Sequence, residues 1–107
     1  MSKIESINKK DDDVIVKFVN SYEFEGETIT ELDFSGMDDI TAKDMIQANN
    51  LLTRSGRVVA VPEMDLQYIL FIAHLATHKP LEFFDKLKPR DAVKVKNKVT
   101  NYFFGDK

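Results

Sequence analysis

Apolar and polar residues alternate with a period of two in the first structured part of the chain. Apolar side chains take every second position in two stretches, which are Val14, Val16 and Phe18, and then Tyr22 and Phe24. The sequence Glu25-Gly26-Glu27 has the composition of a turn, because glycine adopts a positive φ without steric cost. The next stretch aligns three residues on one face: Thr30, Leu32 and Phe34. These patterns predict strands over about 14–34, arranged as a β-hairpin or a three-stranded meander.

Apolar residues spaced three and four positions apart predict that the second part is helical. The predicted helices span about 41–55, 63–78, 81–87 and 89–104. Thr41 is expected to cap the first helix, because Asp44 follows at the spacing of a capping box. Gly56 is expected to end it, and Lys-Pro pairs separate the later helices. Residues 57–61 fit either a further strand or an extended connection.

The last two helices are predicted to pack through one side. In the short helix, Leu81 and Phe84 are expected to face inward. The inward side of the last helix is expected to comprise Ala92, Val95, Val99, Tyr102 and Phe103. Lysines fall largely on its opposite side, which is the two-faced pattern of a helix packed on one side. Together the helices predict a small bundle that follows the hairpin.

Composition limits the chain to one domain. Its 107 residues are 43% hydrophobic and 31% charged, with a formal net charge of −3. A chain of this length buries roughly two-thirds of the surface that its unfolded state exposes, which is enough for one core. Residues 1–13 are mostly polar and charged, and we expect them to form a flexible arm. The prediction is therefore a single α+β domain over 14–107, with an N-terminal hairpin or meander and a C-terminal helical bundle.

The sequence contains no segment suited to a membrane. Its N-terminus lacks the apolar run of a signal peptide. The most apolar stretch, 68–76, is much shorter than the about 20 residues that cross a bilayer. The chain has no cysteine, which excludes disulfides and thiolate metal sites. We expect a cytoplasmic protein without a membrane partner.

The helix over 64–76 is apolar on nearly all sides. One stripe comprises Leu66, Ile69, Leu70 and Ala73, and a second comprises Tyr68, Phe71, Ile72 and Leu75. Such a helix either lies at the centre of a core or is covered by a partner. A domain this small has few elements with which to surround a helix. Both interpretations stay open, and the second stripe is a candidate surface for self-association or for binding another protein.

Three aromatic residues end the last helix. Phe103 and Phe104 are adjacent, and adjacent positions of a helix point about 100° apart. Because both cannot face the same core, one of them is expected to contact a neighbouring chain or to fold back. Together with Tyr102, they are further candidates for partner binding.

The sequence lacks a recognisable catalytic or metal-binding pattern. His74 and His78 are four residues apart, a spacing found in metal sites, but no further ligands stand at suitable positions. No serine has the context of a nucleophile elbow, and the glycines do not cluster into a phosphate-binding loop. We expect a protein that is not an enzyme and that binds no cofactor and no metal.

Basic residues cluster near the C-terminus, and they are Lys86, Lys88, Arg90, Lys94, Lys96 and Lys98. Contact with phosphate groups is one interpretation of this run. However, aromatic residues do not alternate with the lysines, as they do in proteins that bind single strands. A solvated helix face is favoured, and nucleic acid is not the expected partner. A small regulatory protein that binds nucleic acid through this helix is the alternative function.

Two blocks of sequence carry a resemblance to a known family. The first is LDFSGMDDITAKD at 32–44. The second comprises PEM at 62–64, YILFIA at 68–73, KPLEFF at 79–84, RDA at 90–92 and VTNYFFG at 99–105. In their order and spacing these blocks resemble the tail assembly chaperones of long-tailed phages and prophages, especially those of Gram-positive hosts. The resemblance covers most of residues 22–105.

The resemblance implies a function that involves no catalysis. Proteins of this family bind the tape measure protein and keep it soluble while the tail tube assembles around it. The resemblance further implies self-association, or association with a longer frameshift product that shares this portion of the chain. It places the protein in the host cytoplasm and not in the mature virion.

Overall fold

The architecture is α+β, as the sequence predicts. A computed structural model describes residues 14–56 and 58–105, so the predicted flexible arm lies outside the described residues. Within those ranges, an antiparallel β-hairpin is followed by four α-helices. The strands are β1 (Ile15–Phe24) and β2 (Glu27–Asp33). The helices are α1 (Ala42–Arg54), α2 (Leu66–Thr77), α3 (Leu81–Asp85) and α4 (Pro89–Phe104). Two 3-10 turns, Ser35–Asp39 and Pro62–Met64, precede α1 and α2.

The hairpin contains two strands, so the alternative of a three-stranded meander is wrong for the described part of the chain. Glu25 and Gly26 form its two-residue turn, with φ angles of 52° and 81°. Positive φ at both central positions is the geometry of a type I′ turn, whose twist matches that of the flanking strands. Glycine suits this geometry, whereas the side chain of Glu25 opposes it.

The strands do not keep one register along their length. Lys17 is paired with Glu31 and Tyr22 with Ile29, so β1 advances five positions while β2 advances two. The extra residues of β1 form a bulge. Beside this bulge, the alternation of buried and exposed residues in β2 shifts by one position, so that Ile29 is buried and Thr30 is exposed. The predicted inward position of Thr30 is therefore wrong, although Leu32 and Phe34 face inward as expected.

Helix α1 begins and ends as predicted. The Thr41 hydroxyl accepts a hydrogen bond from the Asp44 N–H at 3.4 Å, and the Asp44 carboxylate accepts one from the Thr41 N–H at 3.0 Å. These reciprocal bonds form the expected capping box. After α1, Gly56 has a φ of 83°, the left-handed conformation that terminates many helices. Residues 58–61 form a connection with a bend at Ala60, not a strand.

Helix α2 begins later than predicted and is the centre of the fold. Pro62 starts a 3-10 turn, and Asp65 caps α2 by accepting a hydrogen bond from the Gln67 N–H at 3.0 Å. The inner side of α2 packs against the other helices and the first 3-10 turn. Gly36 of that turn lies so close to α2 that a Cβ atom would overlap the carbonyl oxygen of Ala76. No side chain other than that of glycine fits this contact.

Helices α3 and α4 complete the core with one difference from the prediction. In α3, Phe83 and Phe84 are buried, whereas Leu81, the first residue of the helix, is half-buried. In α4, Val95 and Val99 are buried as expected. Tyr102, in contrast, is 39% exposed, because the inward side of α4 is continued by its neighbour Phe103. The predicted inward position of Tyr102 is wrong.

Candidate functional site

The predicted partner-binding stripe on α2 divides into buried and half-buried residues. Tyr68 and Ile72 are buried within the core, with 2% and 0% exposure. Phe71 and Leu75 are half-buried. A partner reaches Tyr68 and Ile72 only if the core opens, whereas Phe71 and Leu75 offer part of their surface directly. Most of α2 is thus covered by the protein's own chain, which favours the interpretation of a central core helix.

The aromatic residues at the end of α4 point in different directions. The ring of Phe103 is half-buried and lies 6.2 Å from the ring of Tyr68, measured between centroids. Phe104 is 59% exposed. The expected divergence of Phe103 and Phe104 is therefore present, and Phe104 and Tyr102 are the two that a partner can contact without rearrangement.

An apolar groove of about 500 Å³ lies where α1, α2 and α3 meet. We name it the leucine groove, and its lining residues are Leu51, Leu66, Gln67, Leu70, Leu81 and Asp85. Leu66 is 43% exposed, and the other three leucines are half-buried. The groove is thus open to solvent and is lined mainly by flexible aliphatic side chains, with a carboxylate at its rim.

Each leucine lines the groove because of its position on a helix. Leu51 precedes the buried Leu52 of α1, so it points about 100° away from the core. Leu66 and Leu70 are four residues apart on α2 and share one side of that helix. Leu81 is the first residue of α3, where the chain turns back after Pro80. The groove therefore combines residues from three separate helices.

The leucine groove includes no residue of the stripe on α2 that the sequence predicted to bind a partner. Sequence reasoning placed Leu66 and Leu70 in the other stripe of that helix and did not relate them to Leu51 or Leu81. The available signal was the pair Leu51-Leu52, since two adjacent leucines cannot both face one core. The groove suits the apolar side of a helix, because such helices present anchors at three- and four-residue spacing.

A smaller pocket of about 250 Å³ lies on another side of α2. It is lined by Met45, Ile46, Asn49, Pro62, Glu63 and Tyr68. Burial raises the pKa of Tyr68, and the nearby charge of Glu63 raises it further. The phenol therefore stays neutral, which fits a core residue whose edge reaches a surface pocket and not a proton-transfer group.

The most buried charged group among the described residues is the carboxylate of Asp91 at the beginning of α4, with 0% exposure. Its Oδ1 accepts a hydrogen bond from the Val19 N–H at 2.7 Å. Its Oδ2 accepts bonds from the Asn20 N–H and Nδ2, both at 3.1 Å, and from the Tyr22 hydroxyl at 2.6 Å. The Tyr22 oxygen in turn accepts a bond from the Lys88 N–H at 3.0 Å. Asp91 thereby joins the bulge of β1 to the start of α4.

The electrostatics of Asp91 are those of a structural anchor. Burial alone would raise its pKa, but the hydrogen bonds from Tyr22, Val19 and Asn20 outweigh burial and hold the pKa below its ordinary value. Burial, followed by the hydrogen bond to Asp91, raises the pKa of Tyr22. Asp91 is thus charged and Tyr22 neutral at neutral pH, so neither is poised to transfer a proton. The sequence marked Asp91 only as part of a resembling block.

The histidines do not form a metal site in the part of the chain that the structure describes. The Nδ1 atom of His74 lies 2.6 Å from the backbone oxygen of Lys79, which occupies that nitrogen. His78 has a φ of 63° and ends α2 in the left-handed conformation. Across 14–56 and 58–105, no group of three or more potential metal ligands is present.

Four of the six clustered basic side chains are exposed: Lys86, Lys88, Arg90 and Lys94. Lys96 and Lys98 are half-buried. Arg90, Lys94 and Lys98 are spaced four residues apart and share one side of α4. The described helices include none that is long and apolar enough to span a membrane.

Comparison of the chain with protein-family models, with curated proteins and with solved structures finds no match.

Proposed function

We propose that the protein is a tail assembly chaperone that binds the tape measure protein and keeps it soluble while the tail tube forms. In this proposal it works without catalysis, in the host cytoplasm, and is absent from the mature virion. It associates with further copies of itself or with a longer frameshift product. The observation that carries the proposal is the leucine groove.

The leucine groove has the properties that binding of a helical client requires. Its four leucines offer aliphatic surface that adapts to different side chains, and Leu66 is accessible without any movement of the backbone. A client helix would place apolar anchors against α1, α2 and α3. Asp85 at the rim favours a client with a basic residue beside those anchors. The resemblance of blocks 32–44 and 62–105 to tail assembly chaperones implies that the client is the tape measure protein.

The groove also explains how a small protein exposes apolar surface and still folds. The core beneath it is complete, because Ile69, Ile72 and Leu52 are buried. Client binding would thus cover the leucines without disrupting the core. Tyr102 and Phe104 extend the exposed apolar surface at the far end of α4, where a second copy or a longer product would make contact.

Co-expression with the tape measure protein encoded nearby tests the proposal. The wild-type chain should keep the tape measure protein soluble and co-purify with it. Leu66→Glu should reduce the co-purified amount at least tenfold, because it places a charge in the groove. The first turn of a helix tolerates glutamate, so α2 should still form. Val93→Glu is the matched control, since Val93 is 53% exposed on α4 and lies outside the groove.

Two results would contradict this proposal. If the wild-type chain does not solubilise the tape measure protein, the proposed function is wrong. If wild type and Leu66→Glu solubilise it equally, the client does not use the leucine groove.

The exposed basic residues before and at the start of α4 support the second candidate, a regulatory protein that binds nucleic acid. Lys86, Lys88, Arg90 and Lys94 would contact phosphates. Salt distinguishes the candidates, because phosphate contacts release counterions and weaken steeply as salt rises. Binding of a helical client through leucines should instead persist at high salt.

A further inference from the structure

The outer edge of β2 is open in the part of the chain that the structure describes. The sheet has two strands, and β1 is the principal neighbour of β2. No backbone hydrogen bond reaches β2 from another described element. Five of its seven residues are exposed, and the buried ones are Ile29 and Leu32. A strand with one free edge offers a row of unpaired N–H and C=O groups to an incoming strand.

The pairing of the strands shows which backbone groups face outward. The Phe34 N–H donates to the Val14 carbonyl at 2.7 Å, so residues 14 and 34 form a hydrogen-bonded pair. Pairs alternate in an antiparallel sheet, which makes Asp33 opposite Ile15, and Glu31 opposite Lys17, non-hydrogen-bonded pairs. The N–H and C=O groups of Glu31 and Asp33 therefore point away from β1 and are available to a third strand.

The side chains along this edge are acidic. Glu31 and Asp33 of β2 are exposed, and Asp38 and Asp39 follow in the adjacent 3-10 turn. Glu27 is also exposed, but its carboxylate is paired with the Lys79 Nζ at 3.5 Å. A second copy of β2 would bring the same charges opposite these residues, which is unfavourable. The edge therefore discriminates against pairing with itself and favours a strand that carries lysine or arginine.

The spacing of the acids defines the incoming strand more closely. Glu31 and Asp33 are two residues apart, so their side chains lie on the same face at about 7 Å separation. A partner strand with basic residues at alternate positions places one opposite each carboxylate. The basic residues of this chain between 89 and 104 are in α4, and a helix cannot supply that strand. Charge complementarity therefore points to a basic strand from another protein, and cover by the chain's own N-terminal residues is one outcome of the test below.

We propose that the outer edge of β2 binds an extended basic peptide segment of a partner protein, which adds a third strand to the hairpin. Backbone hydrogen bonds to Glu31 and Asp33 supply affinity, and their carboxylates select lysine or arginine at alternate positions. This surface is separate from the leucine groove, and its occupation does not depend on the function proposed above.

A synthetic peptide in which lysine alternates with valine over seven residues is a direct probe. Titration calorimetry with the full chain should detect binding. Amide hydrogen exchange should slow at Glu31 and Asp33 when the peptide is present. A peptide with N-methyl groups on the amides that face β2 should lose at least tenfold in affinity, because it cannot form the backbone bonds.

A variant that lacks both edge charges tests the contribution of the carboxylates. The double variant Glu31→Gln with Asp33→Asn should weaken peptide binding at least tenfold at low salt. Asparagine still accepts the bond that the Ser35 N–H donates to Asp33 at 2.8 Å, so the local turn is kept. The control, Glu82→Gln with Asp85→Asn, removes the same charge from two exposed positions on α3 and should bind as wild type does.

Three outcomes would overturn the proposal. The first is equal binding of the N-methylated peptide, which would show attraction by charge without an added strand. The second is equal binding by the charge-neutral edge variant. The third is strong protection of the Glu31 and Asp33 amides in the free chain, which would mean that its own N-terminal residues already cover the edge.

Discussion

In the helical body, α2 is in contact with α1, α3, α4 and both 3-10 turns, whereas the hairpin meets the body mainly through β1. The body is held by apolar packing of residues such as Ile69, Ile72 and Val95. The hairpin is attached to the body through an aromatic cluster and through the buried carboxylate of Asp91 on α4, which accepts hydrogen bonds from β1. Apolar packing depends little on pH, but a hydrogen-bonded carboxylate depends on its charge. The hairpin is therefore the region whose attachment can be changed selectively.

Removal of the charge of Asp91 should have the largest effect on the attachment of the hairpin to the helical body. In Asp91→Asn the amide nitrogen faces at least one of the donors that now bind the carboxylate, so a buried group is left unpaired. We expect the free energy of unfolding to fall by about 2–4 kcal/mol. Chemical denaturation measures this change. Amide exchange should accelerate more in the hairpin than in α2.

The same variant should alter the dependence of stability on pH. Because the folded-state pKa of Asp91 is lowered, its contribution to stability is present above the ordinary aspartate pKa of about 4. That contribution is lost as the pH falls toward the folded-state pKa. Asp91→Asn should lack this part of the acid-induced loss, whereas Asp39→Asn, at an exposed position, should retain it. Identical acid profiles for wild type and Asp91→Asn would contradict the assigned anchor.

A smaller loss is expected where the end of the hairpin connects to the body. Gly36→Ala places a Cβ atom against the carbonyl oxygen of Ala76, which forces the 3-10 turn away from α2. Such overpacking lowers the free energy of unfolding by about 1–3 kcal/mol. Ser35→Ala is the control, because the neighbouring side chain is exposed and should change stability little. Equal stability of both variants would show that the contact is loose.

The smallest effect should be a gain in stability, limited to the hairpin. Glu25 adopts a φ of 52°, which asparagine tolerates better than glutamate. Glu25→Asn should therefore stabilise the turn by about 1 kcal/mol or less. Glu25→Gln removes the same charge without this preference and should give no comparable gain. Thermal unfolding and exchange of the hairpin amides distinguish the two variants.

Local sequence patterns were sufficient to predict the elements of both regions. Strand alternation and helix spacing depend on neighbouring residues, and they predicted the hairpin and all four helices. The capping box at Thr41 and Asp44 was likewise local. The change of phase at Thr30 was missed, because it accompanies a bulge in β1 whose backbone donates to Asp91, about 70 residues away.

The candidate surfaces were harder to predict for the same reason. The sequence identified α2 as unusually apolar, but its neighbours decide which side remains accessible. Tyr68 and Ile72 became core, while Leu66 and Leu70 joined Leu51 and Leu81 in a groove. No spacing within one helix relates residues of three helices.

The amino-acid sequence by itself determined the α+β class, the order of the elements and the ends of α1, because these follow from periodicity and local hydrogen bonding. Only the tertiary structure decided the burial of Asp91, the accessible side of α2 and the open edge of β2. Burial and exposure depend on which distant segments pack together, and that is a property of the whole folded chain.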